Sequence, residues 1–194
     1  MMKNFESVFK LFRNLQQPLL FDDILKTSTI DDVALLLNLH LGQSISDDYG
    51  MEMALFLAYA AILPNQGGGP FGAVIVKNNH LLAYGANHVT RYNDPTEHGE
   101  VNAIRQALTN RKKLKNSTLI TSCYPCPMCF GCAIENDISK IHFCSSPNDA
   151  QTHGGFLDQM LWEDLEMRRS SEFYCPDYYE FKDSDFKKNE LPDD

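Results

Sequence analysis

Four side chains in one stretch have the types and spacing for metal chemistry. His98-Gly99-Glu100 gives H-x-E, and Pro125-Cys126-Pro127-Met128-Cys129 gives P-C-x-x-C, with 28 residues from His98 to Cys126. Zinc takes nitrogen and sulfur ligands, and a catalytic site keeps three protein ligands with water in the fourth position. His98, Cys126 and Cys129 supply those three donors, so the expected cofactor is one Zn²⁺ per chain. Glu100 is then left over as a carboxylate that can move protons. Water on such an ion has a pKa near ~7, which makes a nucleophile available at neutral pH.

Other readings of the same residues exist. C-x-x-C alone also suits a redox pair or half of a structural zinc site, and a lone histidine is more often a satisfied core residue. Cys123 and Cys132 extend the run to four cysteines at intervals of three. That raises an iron–sulfur or all-cysteine zinc alternative. The spacing is not of a ferredoxin type, and a cluster of cysteines leaves His98 and Glu100 unexplained. The two extra cysteines are therefore expected to be small buried hydrophobes.

These donors have to be brought together by helix ends. In mid-helix His98 and Glu100 point in different directions, because only residues three or four apart are neighbours. Both can address one ion if they occupy a helix's first turn. Thr96, after Asp94-Pro95, is the expected N-cap of that helix, which runs from Glu97 to about Leu108. Pro127 fits the first position of a second helix reaching about Glu135, with Cys126 just before it and Cys129 in its first turn. A helix N-terminus also lowers a thiol's pKa.

The remaining elements follow the hydrophobic pattern. Ser46-Asp47-Asp48 caps a helix expected to reach Leu63. Gln66 to Pro70 is a loop whose three glycines allow close backbone approach to a small ligand; no Gly-Lys-Ser/Thr follows, so it is not a phosphate loop. Phe71–Lys77 and Leu81–Val89 are strands joined by an Asn78-Asn79 hairpin turn. Leu119–Ser122 and Ile138–Cys144 are further strands, Ser145–Phe156 is a loop, and Asp158–Met167 is a helix. The alternation implies an α/β fold with a mixed sheet. Residues 1–45 form a helical extension, 46–170 the zinc domain and 171–194 an aromatic tail.

Composition narrows the class further. The chain has 194 residues, 43% hydrophobic and 22% charged, with a net charge of −9. That acidic balance opposes a nucleic-acid partner, whose phosphates draw on Lys and Arg. The basic run Asn110–Lys115 reads as solvated surface. No N-terminal signal sequence is evident, and the apolar run from Met53 to Leu63 is too short to span a bilayer, so no membrane association is expected. Clustered cysteines suit a reducing compartment, giving a soluble, cytoplasmic expectation.

These motifs resemble the cytidine-deaminase-like superfamily, and within it the bacterial guanine deaminases and related nucleoside deaminases. The matching strings beyond the zinc motifs are Gly68-Gly69-Pro70-Phe71-Gly72-Ala73-Val74-Ile75-Val76, Gly85-Ala86-Asn87-His88-Val89, Asp94-Pro95-Thr96, Thr121-Ser122-Cys123 and Gly155-Phe156-Leu157-Asp158. The resemblance covers roughly residues 46–170. It implies a three-layer α/β/α sandwich, and zinc-dependent hydrolytic deamination of a purine base or nucleoside, guanine or guanosine first, with Glu100 as the proton shuttle. Phe71 would stack on the base, Asn87 would bond its polar edge and Asp158 would accept from an N–H. A homodimer is implied, with the tail as a lid or dimer contact. The alternatives are a tRNA or RNA adenosine deaminase, or an inactive zinc-stabilised interaction module. The chain departs from the family at Tyr124, usually Glu, and at Glu97 and Gly99, usually Ala on each side of the zinc histidine.

Overall fold

The computed structural model describes residues 34, 37–62, 66–157, 159–163 and 165. Its elements run α1 (Asp47–Ala61), β1 (Gly72–Lys77), β2 (His80–Ala86), α2 (Val89–Tyr92), α3 (Gly99–Thr109), β3 (Thr118–Cys123), α4 (Pro127–Glu135), β4 (Lys140–Ser145) and the one-turn α5 (Pro147–Asp149), followed by a π-helical turn, Ala150–Gly154. Among the described residues the strands form one sheet in the order β2-β1-β3-β4. β1 is antiparallel to both β2 and β3, whereas β3 and β4 are parallel. The mixed sheet expected from the α/β alternation is therefore present.

Two-residue alternation along the strands divides the core into two layers. Val74, Val76 and Ile120 point to the face covered by α1, where they join Met53, Phe56 and Leu57. Ala73, Ile75 and Leu119 point to the other face, where they join Ala103, Ile104 and Ala107 of α3 and Ala133 of α4. Thr121 lies two residues beyond Leu119 and so shares the α3 face. The arrangement is helix, sheet, helix.

Local signals set the element ends. The Ser46 side chain accepts the Tyr49 N–H and caps α1, with Asp47 and Asp48 in the first turn. Asn78 and Asn79 both take positive φ, 50° and 59°, as a type I′ hairpin turn requires. Residues 42–45 line the free edge of β2: the Gly42 N–H donates to Leu81 O, and the Leu81 N–H to Gln43 O. Leu37 is fully buried in the α1-side core. Residues 1–33 and the tail from residue 166 onward lie outside the described residues, so most of the expected helical extension and the aromatic tail are not described.

Several expected boundaries shift. β2 ends at Ala86, not Val89, because Val89–Tyr92 turns into a short helix closed by Asn93 in the left-handed conformation. The fourth strand is Lys140–Ser145, two residues later than its apolar pattern suggests. The expected loop after Ser145 is partly helical: the Ser146 hydroxyl accepts the Asp149 N–H, Asp149 answers the Ser146 N–H, and Pro147 occupies the first position. That capping box was legible in Ser146-Pro147-Asn148-Asp149.

Close approach of α3 to the sheet depends on Gly85. A Cβ there would run into the Ala103 nitrogen and the Gly99 carbonyl oxygen, both backbone atoms that cannot rotate away. In contrast, a Cβ at Gly131 in α4 would meet nothing within 4 Å. Gly85→Ala should therefore destabilise the protein by about 1–3 kcal/mol, whereas Gly131→Ala should be neutral or stabilise by up to about 1 kcal/mol. Thermal melts of the two variants check this; equal melting temperatures would mean that α3 is not pressed on β2 as described.

Candidate metal and proton-transfer site

The N-termini of α3 and α4 meet at His98, Cys126 and Cys129. His98 occupies the N-cap position of α3 and Glu100 lies in its first turn. Cys126 occupies the N-cap position of α4, with Pro127 next. The helix starts two residues later than expected at Thr96. Thr96 is instead bound to Asp94, whose Oδ1 accepts its backbone N–H and its hydroxyl, each at 2.8 Å. The Thr96 hydroxyl thus donates to Asp94 and accepts from Arg105 at 3.0 Å, and His98 takes the cap position.

The three donors have the geometry of a zinc site. The His98 Nδ1 lies 3.5 Å from each sulfur, and the sulfurs are 3.6 Å apart. Bond lengths of ~2.3 Å to sulfur and ~2.0–2.1 Å to nitrogen, at tetrahedral angles, require edges of about 3.5–3.8 Å. The triangle is therefore one face of a tetrahedron, open towards a fourth ligand. All three donors lie within 4.8 Å of one another, and both cysteines are buried. Among the described residues this is the group that could hold a metal, and it does not include Cys123 or Cys132. Cys123 is buried as expected, whereas Cys132 is only partly buried, packed on the α3-side core.

Electrostatics within the cluster suit a cation. The Cys126 thiol is held down to about 4, chiefly by the neighbouring Cys129 thiol, with the His98 ring adding to the effect against the cost of burial. Cys129 is pushed up, first by Cys126 and then by burial and the Glu100 charge. The pair thus favours one thiolate. A divalent cation at the centre would release the second proton, since ligating thiols must be deprotonated.

Glu100 is 5% exposed. Burial pushes its carboxyl up, opposed by its own backbone N–H, and the Cys126 charge adds to the rise. A raised carboxyl suits a group that both takes and gives protons near neutral pH. Its Oε2 lies 3.5 Å from Cys129 Sγ, and its Oε1 lies 3.2 Å from the Thr121 hydroxyl. Thr121 and Ser122 received no role from the sequence. Ser122 Oγ accepts the Gly72 N–H at 3.1 Å and so ties β1 to β3. The available signal was two hydroxyls inside a strand whose pattern requires full burial, where polar groups need partners.

The Phe71 backbone lies against the start of α3, and Asn87 is bonded to it. Phe71 carbonyl oxygen accepts the Asn87 N–H, and a Cβ on Gly99 would meet that same oxygen at 3.1 Å. The Asn87 side chain is buried, and its Oδ1 accepts the Gly69 and Val89 N–H groups at 2.9 and 3.2 Å. The glycine loop thus serves the protein's own backbone: Gly68 has no room for a Cβ against the Asn87 carbonyl. The Phe156 ring packs edge-on against Phe71, with centroids 4.7 Å apart. Asp158 lies outside the described residues.

The three departures have local explanations. Glu97 pairs with Arg105 at 2.7 Å. Gly99 lies where a Cβ would touch Phe71 O, Gly72 Cα and Gly85 O at 3.1–3.3 Å. The Tyr124 ring sits in an aromatic cluster, edge-on to Phe143 at 4.9 Å and to Trp162 at 5.8 Å. Trp162 in turn donates its indole N–H to the Pro125 carbonyl, next to Cys126.

Comparison with known proteins agrees with this geometry. The cytidine and deoxycytidylate deaminase zinc-binding region matches residues 44–145. The chain belongs to this family. It is 39% identical over 123 residues to the guanine deaminase of Bacillus subtilis, covering 60% of this chain and 78% of that protein. It is 38% identical over 109 residues to a tRNA-specific adenosine deaminase of Buchnera aphidicola, covering 55% of this chain and 71% of that one. The crystal structure of the Bacillus subtilis guanine deaminase superposes with a TM-score of 0.59 at 34% identity, over 71% of this chain and 87% of that one. A guanine deaminase from Nitrosomonas europaea superposes with a TM-score of 0.51 at 25% identity, over 56% and 63% of the two chains. The chain is a zinc-dependent hydrolytic deaminase acting on a C–N bond. Among the described residues no helix is long and apolar enough to cross a membrane.

The ligand set is testable by composition. Cys126→Ser and Cys129→Ser should each lose most of the metal, whereas Cys132→Ser should keep about one zinc per chain. Elemental analysis of the purified variants checks this. Zinc loss on changing Cys132 but not His98 would overturn the assignment.

Proposed function

We propose that the chain deaminates a guanine-type purine, as base or nucleoside, to its oxo product and ammonia. The observation that carries this reading is the contact of Phe156 with Phe71. Phe156 belongs to the Gly155-Phe156-Leu157-Asp158 string that resembles the guanine deaminase branch, and the contact joins that string to Phe71, whose carbonyl oxygen lies beside Gly99, between His98 and Glu100 in the chain. The purine ring would lie against Phe71. Asn87, whose oxygen is already taken by two backbone N–H groups, has its amide N–H donors left for an acceptor on the base. Asp158 would accept from a ring or amino N–H, as the family resemblance suggests.

His98, Cys126 and Cys129 would hold the zinc. When bound, zinc polarises a water and lowers its pKa to about 7. Glu100 takes the proton of the attacking water at Oε2 and gives it to the ring nitrogen next to the amino-bearing carbon. It then takes the second proton and delivers it to the departing amine, so that water is consumed and ammonia released. Burial around Glu100 keeps competing solvent away from both transfers. The acidic composition argues against the adenosine-in-tRNA reading, and the complete donor set with Glu100 in place argues against an inactive module.

An ammonia-release panel of guanine, guanosine, adenine, cytosine and a tRNA tests the substrate. Turnover should be highest with guanine or guanosine. Glu100→Gln should retain zinc and fold and lose at least ~10²–10⁴-fold in kcat. Asp158→Asn should lower kcat/KM for the preferred purine by about ten-fold or more, since hydrogen bonds to charged groups contribute ~1.5–3 kcal/mol. Activity confined to the tRNA would overturn the reading, as would full activity of zinc-replete Glu100→Gln.

The same reading includes a homodimer. Ile134 of α4, Phe143 of β4, Met160 and Leu161 are all roughly half exposed or more. Covering such residues in a partner is favourable at ~25 cal/mol per Å² of apolar surface. Ile134→Glu should shift sedimentation from dimer towards monomer; a wild-type chain that sediments as a monomer would remove this part of the proposal.

A further inference from the structure

Thr121 on β3 hydrogen-bonds the Glu100 carboxylate from the sheet. It is fully buried, and its Oγ1 lies 3.2 Å from Glu100 Oε1 and 3.4 Å from the Gly72 carbonyl oxygen. A hydroxyl carries one proton, and two acceptors compete for it. An ionised carboxylate at the shorter distance outcompetes a neutral carbonyl, because hydrogen bonds to ions are roughly twice as strong. The hydroxyl therefore donates to Oε1 while Glu100 is charged.

We infer that Thr121 is a positioning residue that fixes the rotation of the Glu100 carboxylate, holding Oε1 against the sheet so that Oε2 faces the zinc-ligand cluster. This rests on Glu100 being the proton shuttle. The torsion about the last bond of a glutamate is broad, with no staggered well to hold it. Which oxygen faces Cys129 is therefore set by the groups that bond the carboxylate, its own backbone N–H and its side-chain partners. The side-chain contacts are the Thr121 bond on Oε1 and the 3.5 Å approach of Oε2 to Cys129 Sγ. Thr121 is held in turn by strand register, since it pairs with Ala73 of β1 and Phe143 of β4. Its neighbour Ser122 binds the Gly72 N–H, and Thr121 itself reaches the Gly72 carbonyl. Ser122 thus grips the N–H of Gly72, the residue next to Phe71, while Thr121 beside it addresses Glu100. The base-stacking side chain and the proton carrier are thereby referenced to the same strand.

The test compares zinc-loaded Thr121→Val, which keeps the shape and loses the hydroxyl, with Thr121→Ser, which keeps the hydroxyl and loses the methyl. Thr121→Ala is the second hydroxyl-free variant should valine fail to fold. The substrate is whichever compound the wild-type enzyme deaminates. Valine should retain about one zinc per chain, leave KM within about two-fold and lower kcat about ten- to hundred-fold, the range for a lost charge-assisted hydrogen bond. Serine should recover most of that loss. Crystal structures of the zinc-loaded wild type and the hydroxyl-free variant give a readout independent of substrate, with the Glu100 carboxylate expected to be rotated only in the variant. An unrotated carboxylate, serine as impaired as valine, or a loss confined to KM would each overturn the inference. Failure of wild type on every purine removes the substrate proposal and leaves the carboxylate orientation to decide this one.

Discussion

Two sulfurs, an imidazole and a carboxylate crowd into one buried space, and that crowding is the constraint on which the rest depends. Burial disfavours charge, so beyond the Cys126 thiolate the Cys129 thiol and the Glu100 carboxyl resist ionisation unless something positive completes the cluster. The triangle of donors has the edge lengths that zinc requires, and both helix N-termini aim their partial positive charge at it. A fold that keeps this group together must rigidly fix the starts of α3 and α4, 28 residues apart along the chain. The sheet does so through β2, β1 and β3, which run beneath the two helix starts.

Small residues make that fixation tight. Gly85 lets α3 lie on β2 at backbone distance, and Gly99 fits among Phe71, Gly72 and Gly85 where a methyl group would be crowded. Hydroxyls on β3 then connect the layers. Ser122 holds Gly72, and Thr121 reaches the Glu100 carboxylate. Packing and chemistry thus share the same strand: Leu119 fills the core, and Thr121, on the same face, touches the proton carrier.

Departures from the family pattern are absorbed by local chemistry and leave the donors alone. The Glu97 carboxylate, beside the metal histidine, is neutralised by Arg105, which also binds the Thr96 hydroxyl. One guanidinium therefore clamps the turn leading into His98. The Tyr124 ring exchanges charge for aromatic contact with Phe143 and Trp162, and Trp162 bonds the Pro125 carbonyl. Contacts of this kind rigidify the approach to Cys126 from outside the metal's own shell, as outer-shell partners commonly do.

Much of this was legible in the sequence by itself, because zinc chemistry imposes donor types and helix starts impose spacing. H-x-E, P-C-x-x-C and the proline at the first helical position were sufficient to name the ligands and the proton carrier as candidates. Period-two apolar runs and Asn78-Asn79 were sufficient for the β1–β2 hairpin. Tertiary structure decided what pattern cannot encode. Thr96 looks like a cap, yet the Asx turn at Asp94 claims its hydroxyl and moves the helix start to His98. The glycine loop looks made for a ligand, yet its tight contact is with Asn87. Thr121 looks like an ordinary strand residue; only the register between β1 and β3, beside α3, places its hydroxyl against Glu100. Each of these outcomes turns on which of several nearby acceptors or backbones a group meets, and that is fixed by long-range packing.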